Sequence, residues 1–356
     1  MPRPHEWMRY SFIMSPADQF PANKFQDQFP DQPLRHHDPL AVRTVFVAPR
    51  RAERPIETGI DATAAGGLLR ECPFCRGHES LTPPAVLQMP DTADPDWHAR
   101  IIPNRYPVVE ETAPRPSAAG PADAHASPAH GVHDVVIESA THERSILAVE
   151  PARWRDVWEL CRRRLAMLAD RSDLAWGTVF KNSGPDAGAS LEHLHSQLVA
   201  LDFVPPVMTA ELAAAAVTPD SFSGLIAAAE REGRIVAEAD DLVAVVPHAI
   251  RQPFETWILP RSAEPWFHAT SPTRVAALAA LSRDVIARLD RLAPAVNYNW
   301  WLHQAPFPAH GRPPSDWHWH LEILPRLSSF AGFELATGCH ISVATPQASA
   351  RRLRDG

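Results

Sequence analysis

The 356-residue chain has no run of 18 apolar residues, the length a membrane-crossing helix needs. Residues 1–10 mix charges with aromatics where a signal peptide would carry an apolar core. No long basic run occurs either, and a formal charge of −8 with a pI near 6.1 offers duplex nucleic acid no electrostatic footprint. Cysteine is scarce: Cys72, Cys75, Cys161 and Cys339 are too few for a disulfide scaffold. These absences lead us to expect a soluble, cytoplasmic protein whose partners include neither a membrane nor a nucleic acid.

What is present suffices for two domains, or one duplicated domain, with a sizeable core. Residues 1–36, rich in Pro, Gln, Asp and His without a sustained period, are expected to form a flexible arm. Two domains, 37–205 and 206–356, follow it. In the first, strands are expected at 44–48, 100–109 and 133–139, with a flexible Ala/Pro/Ser/Asp loop over 112–131. A helix over 151–170 comes next, because Trp154, Val157, Trp158, Cys161, Leu165 and Leu168 recur at helical spacing. Residues 175–180 are again strand-like.

Chemistry gathers after that strand. Residues 182–192 are rich in Gly, Ala and Ser, which lets backbone approach a ligand closely. Residues 193–199 then alternate polar and apolar, a strand pattern that sets His193, His195 and Gln197 on one face. Such a face either binds something or is solvated, since it cannot lie in an apolar core without partners. Upstream, Cys72-Pro73-Phe74-Cys75 is a knuckle that converges two thiolates on one metal, in Pro-rich surroundings that do not suit a redox pair. Two more ligands must come from elsewhere, and His133, His142, His193 and His195 are the candidates. Arg50, Arg51 and Arg54, in a turn after the 44–48 strand, suit a phosphate or form a solvated basic turn.

The second half repeats the plan. Strands at 242–247 and 254–260, an amphipathic helix over 272–292 and a strand at 297–302 lead to His318-Trp319-His320-Leu321-Glu322. That segment repeats, 125 residues later, the alternation that starts at His193. The strand starts at His133 and Phe254 differ by 121 residues, and two similar offsets argue for an internal duplication. Strand, strand, helix, strand, strand in each copy implies an α+β fold with mostly antiparallel sheets and helices packed on one side.

The motif His193-Leu194-His195-Ser196-Gln197, with Asn182-Ser183-Gly184 before it and the Cys72-to-Cys75 knuckle upstream, resembles the galactose-1-phosphate uridylyltransferase branch of the histidine-triad superfamily. Pro103-Asn104-Arg105-Tyr106-Pro107, His303-Gln304-Ala305-Pro306 and Gly332-Phe333-Glu334-Leu335 extend the likeness from residue 38 to the C-terminus. The resemblance implies a duplicated histidine-triad-like fold of two half-barrel sheets, assembled as a homodimer. It also implies a ping-pong nucleotidyltransferase: His195 attacks the α-phosphorus of a nucleotide sugar and carries the nucleotidyl group, while Gln197 donates to a phosphoryl oxygen. Arg51, Arg54, Asn104, Asn182 and Ser190 are then substrate-binding, and Cys72, Cys75, His142 and His193 hold Zn2+. Glu211, His303, His318 and His320 hold a second Zn2+ or Fe2+. The activity so implied is exchange between a UDP-hexose and a hexose 1-phosphate such as galactose 1-phosphate.

Some residues depart from that pattern. Leu194 and Ser196 replace the usual proline and glycine beside the nucleophile, and residues 196–200 look more like ADP-glucose phosphorylase relatives. The glutamine and lysine that hold the incoming sugar phosphate in uridylyltransferases have no convincing counterpart near 330–340. Both features raise inorganic phosphate as an alternative acceptor. Against it, Ala227-Ala228-Ala229-Glu230 stands where phosphorylase relatives carry a further cysteine pair. A zinc-stabilised nucleotide-binding protein without turnover is the remaining alternative.

Overall fold

The structure is a computed structural model that describes residues 32–38, 43–48, 50, 72–90, 96–114, 126–218 and 220–356. A small antiparallel sheet, in the order β2-β1-β5, combines β1 (Leu34–Asp38), β2 (Arg43–Val47) and β5 (Ala126–Pro128). Strand β1 thus begins inside the expected arm, and β5 lies inside the expected 112–131 loop; residues 1–31 lie outside the described residues.

A ten-stranded antiparallel sheet carries the rest. One half holds β3 (Leu87–Met89), β4 (Ala99–Pro103), β6 (Gly131–Ile137), β7 (Trp176–Ser183) and β8 (His195–Leu201), in the order β3-β4-β6-β8-β7. The other holds β9 (Ile235–Ala239), β10 (Leu242–Val245), β11 (Thr256–Pro260), β12 (Tyr298–His303) and β13 (His320–Pro325), in the order β9-β10-β11-β13-β12. The same connectivity is used twice, as the offsets in the sequence require. The halves join edge to edge where β7 pairs with β12, Lys181 opposite Trp300.

One helix crosses over after the third strand of each half: α1 (Pro151–Ala169) and, after α2 (Pro206–Val217) and α3 (Ser221–Arg231), α4 (Pro272–Leu292). Two short helices, α5 (Gly332–Thr337) and α6 (Pro346–Asp355), end the chain. Helix α1 starts where it does because the Glu150 carboxylate accepts from the Ala152 and Arg153 N–H groups at 3.0 and 3.1 Å, with Pro151 in the first turn. Its apolar stripe is buried against the sheet and α4, and Trp154 Nε1 donates to Ser282 Oγ of α4 at 3.1 Å. Trp154, Trp158 and Trp300 meet there with ring centroids 5.8 to 6.2 Å apart, and truncating any of them to Ala would cost roughly 3–5 kcal/mol. Helices α1 and α4 cover one face of the sheet. On the opposite face α2 and α3 pack over Val199, Leu201, Val243, Val245 and Leu259, and the part that carries His195 and Gln197 is left for chemistry. Among the described residues no single helix is long and apolar enough to cross a membrane.

Candidate active site

Strand β8 begins at His195, two residues later than the alternation predicts. The chain at Leu194 is held off the regular ladder: its N–H donates to the Glu143 carbonyl at 2.7 Å, and its carbonyl accepts from Glu138 N–H at 3.3 Å. From His195 onward, period two sends Ser196 and Leu198 toward the helices and His195 and Gln197 to the opposite face.

His195 Nδ1 lies 2.7 Å from the His193 carbonyl oxygen. A carbonyl only accepts, so Nδ1 carries the proton and the ring lone pair is on Nε2. Gln197 is oriented in turn by His133, which the sequence first offered as a possible metal ligand and the resemblance left without a role. Val108 N–H donates to His133 Nδ1 at 3.1 Å, so His133 Nε2 carries a proton and donates to Gln197 Oε1 at 2.9 Å. With its amide oxygen engaged, Gln197 has its NH2 to present. Asn104 packs on the same group: its Oδ1 accepts from Tyr106 N–H at 2.8 Å, and its Nδ2 lies 3.0 Å from His133 Nε2.

Asn104, Arg105, Ser190, His195 and Gln197 are among the polar residues that line a cavity of about 370 Å³, whose apolar wall includes Phe74, Leu81, Ile102 and Val135. That size suits a small-molecule ligand. The loop carrying Ser190 is set by Gly184 at φ 85°: a Cβ there would fall 1.6 Å from Asn297 Oδ1, so no other residue fits. Asn182 is not part of the cavity wall, and its Oδ1 accepts from Asn299 Nδ2 at 2.9 Å. Arg51 and Arg54 lie outside the described residues.

Beside the cavity, the knuckle delivers its two sulfurs to the two expected histidines. Cys72 Sγ is 3.4 Å from His193 Nδ1, and Cys75 Sγ is 3.6 Å from that atom and 3.7 Å from His142 Nδ1. All four donor atoms lie within 4.8 Å of one another, and ligand bonds of about 2.0–2.3 Å in a tetrahedron set donors at about this spacing. His193 Nε2 donates to the Ser139 carbonyl at 3.0 Å, which turns the Nδ1 lone pair toward the sulfurs. Burial holds His193 down at about 4, so the ring is neutral, and pushes the Cys72 thiol up to about 11, a proton that a bound divalent cation displaces. This donor set therefore fits a soft divalent ion.

A second cluster lies in the other half. Glu211, His303 and His320 bring donor atoms within 4.8 Å of one another. Glu211 carboxylate oxygens are 3.0 Å from His303 Nδ1 and 3.1 Å from His320 Nε2, while Glu322 Oε1 is 3.3 and 3.6 Å from the same nitrogens. Both imidazole nitrogens are buried without a well-directed hydrogen bond, as lone pairs aimed at a cation would be. His318, expected with them, is not brought into this cluster: its Nδ1 lies 2.7 Å from the Pro260 carbonyl and its Nε2 3.3 Å from Asp316 Oδ1. Glu322 stands nearer than His318, a ligand candidate the sequence reading passed over.

Two families match the chain: the N-terminal domain of galactose-1-phosphate uridyl transferase over residues 27–205, and a domain of unknown function, DUF4921, over 163–355. An ADP-glucose phosphorylase of Arabidopsis thaliana is 31% identical, over 91% of this chain and 93% of its own length. The crystal structure of an ADP-glucose phosphorylase from Arabidopsis thaliana with bound ADP-glucose is similar at TM-score 0.71 and 30% identity, covering 91% of this chain and 99% of that one. A galactose-1-phosphate uridylyltransferase of Thermotoga maritima is 24% identical, over 90% of this chain and 97% of its length.

Proposed function

We propose, from the premise that the chain belongs to the galactose-1-phosphate uridylyltransferase family, that it transfers a nucleotidyl group through His195, with inorganic phosphate as the acceptor and an ADP-hexose as the donor. One observation carries the chemistry: the His193 carbonyl holds the His195 Nδ1–H, which leaves Nε2 as the nucleophilic nitrogen of a side chain that lines the cavity together with Gln197. Nε2 attacks the α-phosphorus, the bond from that phosphorus to the bridging oxygen breaks, and hexose 1-phosphate leaves. Gln197 donates to a non-bridging oxygen as charge builds. A phosphate oxygen then attacks the same phosphorus, the N–P bond breaks, and the nucleoside diphosphate is released with His195 neutral again. Cys72, Cys75, His142 and His193 would hold Zn2+, whose part is structural: it ties down the residue that precedes the nucleophile strand.

The identity of 31% with a phosphorylase, against 24% with a uridylyltransferase, supports phosphate as acceptor. Transfer from a UDP-hexose to galactose 1-phosphate is the second reading, favoured by Ala227, Ala228 and Ala229 where phosphorylase relatives carry cysteines. Incubation with ADP-glucose and with UDP-glucose, each labelled in the nucleotidyl group, followed by mass measurement of the intact chain, identifies the donor. Discharge of the adduct by phosphate faster than by galactose 1-phosphate at equal concentration is expected. The reverse order would select the second reading, and no adduct with either donor would sink the covalent mechanism.

A further inference from the structure

Beneath the nucleophile, on the helix side of the sheet, lies a charged group that the reaction above does not use. Lys181 Nζ donates to Glu138 Oε2 at 2.5 Å and to the backbone carbonyl of His195 at 2.8 Å. Ser196 Oγ donates to Glu138 Oε1 at 2.5 Å. Both charged side chains are 1% exposed. The third N–H of the ammonium has the Trp300 ring, whose centroid is 5.6 Å away.

Burying an ion pair in a core is rarely the cheapest way to fill it, because the desolvation cost offsets most of the attraction. The duplication supplies an internal control. In the first half Gln197 pairs with Val135 and Phe180, and in the second half Glu322 pairs with Trp257 and Trp301. Stepping along the same registers, Glu138, Lys181 and Ser196 correspond to Pro260, Leu302 and Leu321. All three of those are buried and apolar, so the fold itself needs no charge at these positions. The charged version occurs in the half that carries the nucleophile. Composition adds a second point: Lys24 and Lys181 are the only lysines among 34 Lys and Arg residues. A compact ammonium with three donors fits this spot, where a planar guanidinium would not.

We propose that Lys181 and Glu138 are positioning residues for nucleotidyl transfer: the Lys181 ammonium fixes the His195 carbonyl, and so the aim of the imidazole, while Glu138 cancels its charge. The cancellation matters because nucleotidylation of Nε2, with Nδ1 still protonated, leaves the His195 ring cationic. An uncompensated ammonium on the same residue's carbonyl would oppose that charge. The inference rests on His195 being the nucleophile.

The test uses full-length Lys181→Met, Glu138→Gln and the double variant, with rapid-quench measurement of adduct formation from ADP-glucose and UDP-glucose. The double variant removes both charges together, and its metal content and melting temperature are expected to stay near those of the unaltered protein. Its maximal rate of adduct formation should fall about 10- to 100-fold, with the half-saturating concentration little changed. Glu138→Gln alone should be slower than the double variant, because it leaves the ammonium uncompensated. A folded double variant that forms adduct at the unaltered rate overturns the proposal. Loss of melting temperature alone, with an unchanged rate per folded molecule, overturns it too by reducing the pair to a structural role. If the unaltered protein forms no adduct from either donor, the nucleophile assignment fails and this proposal falls with it.

Discussion

His320 holds its Nδ1 3.1 Å from the carbonyl of His318, just as His195 holds its own 2.7 Å from the carbonyl of His193. The duplication therefore preserves one tautomer in both halves, and what differs is what each Nε2 meets. For His320 it is the Glu211 carboxylate at 3.1 Å; His195 instead lines the cavity with Gln197. A carboxylate against the lone-pair nitrogen removes it as a nucleophile, whether it pairs as an imidazolium or binds an ion.

His195→Gly should accordingly abolish the nucleotidyl adduct while leaving bound zinc and melting temperature unchanged, and added imidazole should restore part of the transfer from the vacated space. His193→Ala should lose zinc and stability together with activity. Adduct mass and metal content on the same samples decide the matter. An adduct on the His195→Gly protein would mean that the nucleophile is elsewhere.

His133 offers a second test, because its effect is expected to pass through Gln197. His133→Phe should slow adduct formation about 100-fold, the cost of losing one aimed donor, as should Gln197→Ala. The double variant should be scarcely slower than either single one, since both remove the same interaction. Fully additive losses in transient kinetics would show that His133 does not act through the glutamine.

Legibility followed distance along the chain. The period-two run at 193–199 and the knuckle at 72–75 are local patterns, and the structure brings their histidines and cysteines together. His133 meets Val108, Asn104 and Gln197, 25, 29 and 64 residues away, so no short window of sequence contains the role it plays. Lys181 and Glu138 are 43 residues apart and face the helices, where a strand pattern predicts apolar residues. His318 stands apart from Glu211 because the Pro260 carbonyl, 58 residues upstream, takes its Nδ1–H. The same alternation in both halves conceals the difference between Gln197, which lines the cavity, and Glu322, which stands against His303 and His320.

Zinc affinity should depend on pH. In the metal-free protein Cys72 is raised to about 11 by burial, so below that pH it is a thiol that must release its proton to bind. The unbound state carries the extra proton, so affinity rises with pH, by about tenfold per unit from this ligand between pH 6 and 9. His193, held near 4, is already neutral there and adds no further slope. Competition against a chromophoric chelator at pH 6.5, 7.5 and 8.5 measures the slope, and a flat profile would remove Cys72 from the ligand set.

The Glu211 cluster gives the last prediction, because its two states respond to pH in opposite directions. Burial alone would lower His320, but the carboxylates of Glu211 and Glu322 outweigh it and push the ring up to about 10, well above the ordinary 6.5. Without an ion the cluster is thus an imidazolium held by carboxylates, and its contribution is complete below pH 6.5 and lost as pH rises toward 10. An ion reverses this, since His303 and His320 ligate it as neutral bases and hydroxide removes the competing proton. In a Cys75→Ser background, which disables the first site, a strong chelator should therefore cost little stability at pH 6 and on the order of 3 kcal/mol at pH 9. Urea unfolding with and without chelator at the two pH values reads the difference, and Glu211→Gln should abolish it. Midpoints that chelator leaves unchanged at pH 6 and at pH 9 would show that Glu211, His303 and His320 hold no ion and that the cluster is an ion pair alone.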